Sequence, residues 1–159
     1  MADLLGDGNV KVTFCTTLSS ISTPSATQLN AGVDLQTVLT KEGLDISPDQ
    51  AAVDNTNLAS TSETERGGTT KYTLNLTVKR QNASVDDIGY NTLVAGQDGF
   101  LAVRRDRIHT AAYAAGQKVE IYPVQCGVQM DQPPKLNEPQ TFQSKLFNHT
   151  QPDTRATVA

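Results

Sequence analysis

The sequence predicts a mainly β protein, built either as a two-sheet antiparallel sandwich or as a partly closed barrel, with one flanking α-helix. Polar and apolar residues alternate over several short stretches, which is the pattern of half-buried strands. Thr, Asn, Gln and Asp are frequent, and a single stretch has the signals that start and end a helix. The 159 residues are expected to form one domain without internal repeats.

Six segments are predicted strands, each with one buried face. The clearest is 71–80, where every second residue from Tyr72 to Val78 is apolar and the residues between them are polar. In segment 118–131, Pro123 lacks a backbone donor, which predicts an edge position or a bulge. The remaining predicted strands are 9–15, 32–40 with a bulge near its end, 99–107 and 141–147.

One segment, Ser84 to Ala95, is predicted to be the helix. Ser84 is a good N-cap, and Asp86 and Asp87 fall in the first turn, where the helix dipole favours negative charge. Gly96 stands where a C-cap residue is expected. The Ser/Thr-rich segment 19–29, by contrast, predicts a loop.

Three polar segments contain few residues able to join a core: a leader at 1–8, a tract at 41–70 and a tail at 148–159. The tract is longer than an ordinary unstructured connection in a compact domain. We interpret all three segments as arms that become ordered against neighbouring copies of the chain.

Charge and composition exclude several classes of protein. The formal net charge of −4 repels a polyanion, so non-specific nucleic-acid binding is not expected. No stretch approaches the roughly 20 apolar residues that span a bilayer, and the first residues lack the features of a signal peptide. The chain is therefore expected to begin in the cytoplasm, with Cys15 and Cys126 as reduced core residues rather than a disulfide.

No motif predicts catalysis, a cofactor or a metal. His109 and His149 lack Cys or Asp at a metal-binding spacing and are interpreted as surface residues. Segment 45–56 begins like a calcium loop, but Gln50 stands where Gly is expected and Thr56 where an acid is expected. The chain is therefore not expected to be an enzyme.

The densest basic cluster is "RRDRIH", Arg104 to His109, which also contains Asp106. It lacks the breadth and the aromatic platforms of a nucleic-acid site. Two interpretations stay open: the arginines pair with local acids, or they contact another subunit.

Seven segments follow one another in an informative order: "LNAGVDLQTVLTKEGLDIS", "AAVDNTNLAST", "ETERGG", "YTLNLTVKR", "GFLAVRR", "AAGQKVEIYPVQCG" followed by "QPP", and "QSKLF". They cover most of residues 29–147. None is a catalytic fingerprint, and it is their order and spacing that carry information. In that order they resemble the major tail proteins, or tail tube proteins, of long-tailed bacteriophages of actinobacteria.

This resemblance implies a sandwich of two antiparallel sheets flanked by a helix, with six copies in a ring and rings stacked into a tube. Segment 41–70 would be the long loop that reaches the adjacent ring, and segments 1–8 and 148–159 would make further contacts. The candidate contact residues are Lys41, Glu42, Asp45, Glu63, Glu65 and Arg66 in the loop, and Arg104, Arg105 and Arg107 near a strand end.

The resemblance also implies a function as a structural virion protein. The tube would assemble in the host bacterial cytoplasm around a tape-measure protein, join tail terminator and tail tip proteins, and act as a conduit for the genome. DNA would pass through the lumen without specific binding, and no membrane would be involved. The alternative is a monomeric β-sandwich ligand-binding module, although the absence of Trp gives little support for stacking on a sugar.

Overall fold

A computed structural model describes all residues, 1–159, and contains eight strands and two short helices. The strands are long where they form hairpins, and each helix has only five residues. In chain order the elements are β1 (Lys11–Cys15), α1 (Ala26–Asn30), β2 (Val33–Asp34), β3 (Leu39–Asp54), β4 (Glu65–Lys79), α2 (Ile88–Thr92), β5 (Asp98–Arg104), β6 (Lys118–Asp131), β7 (Thr141–Asn148) and β8 (Asp153–Thr157).

All eight strands belong to one antiparallel sheet. Its order is β2-β1-β5-β6-β7-β4-β3, and β8 pairs with β6 beside this path. The mainly β, antiparallel prediction is confirmed, and the strands form a single open sheet, so of the two expected architectures the two-sheet sandwich is not confirmed. β2 and β3 are the two ends of the path, and each has one unpaired edge.

The sheet curves around its core without closing. Val10 and Val12, at β1, line the same cleft as Leu39 and Leu44 of β3, although four strands separate β1 from β3 in the sheet. Only a strongly curved sheet brings these distant strands together. The main core lies inside the curve and contains residues from both halves of the path, among them Phe14, Leu101, Leu76 and Phe142.

A second core covers the opposite face of β1, β5 and β6. It contains Leu29 of α1, Ala156 of β8, and Tyr113, which lies in the loop between β5 and β6. β1 is consequently buried on both faces, and the expectation of a half-buried strand is wrong. The polar residue Thr13 is accommodated because its hydroxyl donates to Asp34 at 2.8 Å and lies 2.9 Å from the Tyr113 hydroxyl.

The helical predictions need two corrections. The helix expected at Ser84–Ala95 is reduced to α2, because the buried carboxylate of Asp87 accepts from Arg80 and from the amide of Gln81 and so holds the preceding residues outside the helix. A helix not predicted, α1, lies in the expected loop 19–29, where burial of Leu29 stabilises a single short turn of helix.

The tract at 41–70 is not a loop. It forms most of the long hairpin of β3 and β4, which pair as far as Asp54 with Glu65. Beyond Ile46 the tract has few apolar residues and no alternation of apolar and polar residues, so its sequence does not predict strands. The predicted strand 32–40 is split, since a turn over 35–38 separates β2 from β3.

The tail and Pro123 also differ from expectation. Segment 148–159 was expected to be an unanchored arm, but β8 pairs with β6 and buries Ala156 and Val158 in the second core. Pro123 lies in the interior strand β6, at the point where the neighbour on one side changes from β8 to β7. No strand there requires an amide donor, so the proline costs no ladder hydrogen bond.

Candidate assembly surfaces

The described side chains form no group of three or more His, Cys, Asp or Glu that could hold a metal ion. No helix has the length and apolar character needed to cross a membrane. The residues predicted to make contacts fall mainly on two surfaces, a projecting ribbon and a cleft at the opening of the sheet.

The ribbon, which we call the arm, comprises residues 49–71. β7 pairs with β4 only from Thr73 to Lys79, so beyond Thr73 the two strands of the hairpin have no neighbour except each other. Every residue of the arm except Gly68 is exposed. A two-stranded ribbon without a hydrophobic face is marginally stable in water, so the arm gains most from contact with another surface.

The far end of the arm, residues 54–65, is the tip. It has three carboxylates, on Asp54, Glu63 and Glu65, and no Lys or Arg. Hydrogen bonding with Thr56, first through its side chain and second through its amide, which donates to the Asp54 carboxylate at 2.8 Å, lowers the pKa of Asp54. Leu58 projects from the tip with its side chain fully exposed. The tip is thus anionic with one apolar residue.

The cleft between the ends of the sheet, which we call the seam cleft, has a volume of about 540 Å³. Three basic residues line it, Lys41, Arg105 and His109, together with one acid, Asp7. Arg105 forms an ion pair with Glu120 at 3.1 Å, whereas Lys41 has no acidic partner within ion-pair distance. The apolar walls of the seam cleft are Val10, Val12, Leu39 and Leu44.

Arg104 is not at the surface, which contradicts its prediction as a contact residue. Its side chain is fully buried, and its two terminal nitrogens donate to the carbonyl oxygens of Ile108, Ala111 and Ala112 and to the Gln117 side chain at 2.8 to 3.1 Å. Its Nε has no partner. The guanidinium fixes the loop that carries His109, whose amide donates to Gly8 of the leader.

The other candidates remain predictions as contact residues. Arg105 has the local acid that one interpretation expected, and Arg107 is exposed beside it. Lys41 lies at the cleft, and Glu63, Glu65 and Arg66 lie at or beside the tip. Glu42 and Asp45 are exposed near the base of β3, where Asp45 accepts from Ser47 at 3.1 Å.

Sequence reasoning missed the walls of the seam cleft. Val10 and Val12 were assigned to a core strand, and Leu39 to the end of another, but nothing in their alternation shows that the two strands face each other across an opening. The leader was expected to be an arm, yet Gly6, Asp7 and Gly8 line the cleft. Their position depends on curvature of the whole sheet, which no local pattern reports.

The two thiols are buried and free. Burial raises the pKa of Cys15 and of Cys126 to about 11, in each case assisted by a nearby carboxylate. Burial also raises the pKa of Tyr113 to about 12. These groups stay neutral at physiological pH, so none is an activated nucleophile.

The open antiparallel sheet has free edges, and the arm projects from it, so both present surfaces that another copy could cover. A protein-family model described as "Phage tail tube protein" matches residues 1–159, and the chain belongs to this family. It is therefore a structural protein of a phage tail, with the mainly β fold expected from the resemblance.

A similar fold occurs in a chain of the cryo-EM structure of the anti-feeding prophage (AFP) baseplate, 6-fold symmetrised. The two chains superpose with a TM-score of 0.58 over 94% of this chain and 95% of that one. Their sequences are 9% identical, so the likeness shows the fold alone. No curated protein sequence matches the chain.

Proposed function

We propose that the chain self-assembles into six-membered rings that stack into the tail tube, the conduit through which the genome reaches the host. The observation that carries this proposal is the match to the tail tube family over the whole chain, 1–159. The structural relative supports the number six, because its structure is described as 6-fold symmetrised.

The free edges of the sheet support lateral association in a ring. β3 has 16 residues and β2 has two, and each has an edge with no partner in the sheet. A long unpaired edge such as that of β3 is an aggregation liability in a monomer, unless the native assembly covers it. Pairing of neighbouring subunits through these edges would extend the sheets around a common lumen.

The arm supports stacking of rings. As a marginal ribbon with all but one residue exposed, it would be ordered by the adjacent ring, which is the role given to segment 41–70 by the resemblance. The leader at 1–8 would add a contact between subunits. The tail at 148–159 is anchored to its own chain through β8, so only the exposed residues of the tail would contact another subunit.

The remaining partners follow from the same proposal. The tube would form in the cytoplasm of an actinobacterial host around a tape-measure protein, and end at tail terminator and tail tip proteins. The outer face of β4 and β7 carries the half-buried polar residues Asn75, Thr77 and Gln143, together with Lys79, Lys145 and the exposed Phe147. DNA would pass through the lumen without specific binding, which fits the net charge of −4 of the chain.

The test is to examine the purified chain by negative-stain electron microscopy and by sedimentation over a range of concentrations. Six-fold rings or tubes of uniform diameter are expected. A chain that remains a monomer at high concentration, alone and with a co-expressed tape-measure protein, would contradict the proposal and favour the ligand-binding alternative.

A shortened arm provides the matched control. Residues 51–69 are replaced by an Asn-Gly turn between Gln50 and Thr70, which pair across the hairpin. This change spares Leu44 and Ile46, which pack against the core, so the monomer should keep its stability. Rings without stacking are expected, and normal tubes would show that the arm does not join rings.

A further inference from the structure

We propose that the tip of the arm of one copy docks in the seam cleft of another copy. This inference rests on the proposed function and adds to it the acceptor site of the arm and the chemistry of the contact. It is carried by three observations: complementary charge, a matching apolar residue, and a geometry that prevents the contact within one chain.

Charge complementarity is the first observation. The tip carries the carboxylates of Asp54, Glu63 and Glu65, which form no ion pair, and the cation next to them in the chain is Arg66. The seam cleft holds Lys41, which has no acidic partner, together with Arg105, which is paired with Glu120, and a single lining acid, Asp7. Opposite charges on two surfaces steer their encounter and fix their register.

The apolar match is the second observation. Leu58 is fully exposed at the tip, although a large apolar side chain in water contributes nothing to the stability of the ribbon. The cleft offers the partly exposed side chains of Val10 and Leu44 beside its charged rim, whereas its other apolar lining residues, Val12 and Leu39, are buried in the main core. An apolar anchor surrounded by ion pairs is the usual arrangement of a small protein interface.

The third observation is that a chain cannot make this contact with itself. Lys41, in the seam cleft, and Asp54, at the tip, belong to the same strand β3. Thirteen residues of extended chain separate them by about 40 Å. Because β3 is paired with β4 from Leu44 to Asp54, the strand cannot fold back, and the tip can reach only the cleft of a second copy.

The contact is therefore head-to-tail, with donor and acceptor on different parts of each copy. Every copy in a stack could use both surfaces at once. This is the geometry that stacking of identical rings requires, and it explains why the cleft is left open between the ends of the sheet.

Disulfide trapping tests the contact even where association is weak. Thr37→Cys introduces a thiol at the cleft and Ser62→Cys one at the tip, both at exposed positions. When the two variants are mixed under mild oxidation, tip–cleft dimers should exceed those formed with the exposed control Leu136→Cys by about tenfold. Equal yields for the two pairs would overturn the proposal.

Charge reversal tests the chemistry of the contact. Glu63→Lys with Glu65→Lys in the tip partner should reduce trapping about tenfold, and so should Lys41→Glu with Arg105→Glu in the cleft partner. When each partner carries its own pair of changes, trapping should be restored. The matched controls are Glu138→Lys and Lys135→Glu, which alter exposed residues outside both surfaces. Reversals that leave trapping unchanged would contradict an electrostatic contact.

Two further outcomes separate this inference from the proposed function. Trapping without rings or tubes would leave the docking intact and contradict the tube. Tubes that form normally with reversed charges and show no tip–cleft trapping would overturn the docking alone. If removal of residues 1–5 abolishes tubes while reversal of the tip charges has no effect, the leader occupies the cleft and the proposal is wrong.

Discussion

Arg104 attaches the loop after β5 to the sheet through four hydrogen bonds from a fully buried guanidinium. No carboxylate neutralises it. Its acceptors are carbonyl and amide oxygens, and its charge lies 5.1 Å from the ring of Tyr113. A charge buried in this way depends on every acceptor being in place.

We expect Arg104→Lys to lower the free energy of unfolding by about 3 kcal/mol, because an ammonium cannot reach acceptors that a planar guanidinium bridges. Urea denaturation followed by circular dichroism measures the change. The control is Arg105→Lys, an exposed change at the adjacent position expected to cost less than about 1 kcal/mol. Equal losses for the two variants would show that burial of Arg104 is not what makes it important.

The buried thiols and Tyr113 predict loss of stability at alkaline pH. Their pKa values are raised in the folded state, so burial stabilises the fold fully below the unfolded values, about 8.5 for Cys and 10 for Tyr. This contribution should fall as the pH rises through about 11 for the thiols and about 12 for Tyr113.

Thermal unfolding between pH 8 and pH 11 measures this loss. A variant with both Cys15→Ala and Cys126→Ala should start less stable, because two buried side chains are truncated, but its stability should decline less with pH. If both proteins decline in parallel, the thiols do not account for the alkaline transition.

At the scale of elements, the hairpin of β3 and β4 combines two parts of unlike stability. Its base packs Leu74, Leu76 and Val78 into the main core, whereas the arm beyond Thr73 has no third strand. Local opening is easiest where few apolar contacts resist it.

Hydrogen exchange should reveal this difference. In the monomer, amides of 50–54 and 65–70 should exchange at least about tenfold faster than those of β5, and assembly should slow them. Mass spectrometry of protected peptides provides the measurement. Arm amides that are as protected in the monomer as those of β5 would show that the ribbon is stable by itself.

The sequence predicted the strands whose side chains pack against the core. Alternation around Leu74 and Leu76 was sufficient for the base of β4, because burial of one face leaves a period of two. β5 is apolar throughout 100–103 because both of its faces are covered by a core. The arm left no such trace, since both faces are solvated. β8 was missed because Ala156 and Val158 are too few to form a pattern.

The candidate site was predictable in composition but not in arrangement. The sequence predicted that the segment holding Lys41, Glu63 and Glu65 contacts other copies, which stays a prediction, and the structure places all three residues at exposed positions. It could not show that Lys41 and Glu63 lie at opposite ends of a ribbon, because that depends on the pairing of β3 with β4. It also placed Arg104 with its exposed neighbours, since the carbonyls that bury its charge come from a loop without a sequence signature.

At the scale of the whole molecule, the stability of the fold should depend on assembly. In the proposed assembly, contacts between copies would cover the free sheet edges and order the arm, so association would stabilise the native state by mass action. We expect the assembled protein to unfold at a higher temperature than the monomer, and its midpoint to fall on dilution. Differential scanning calorimetry over a range of concentrations measures this, and a midpoint independent of concentration and assembly would contradict it.

The positions of the tip and the seam cleft at opposite ends of β3 have a consequence for any polymer built by joining them. Such a polymer has two unlike ends however many copies it contains: one end offers only tips and the other only clefts. A capping protein that recognises one of them can close only that end, so growth has a direction from the first contact. The contact itself never saturates, and the information about when to stop must come from another molecule.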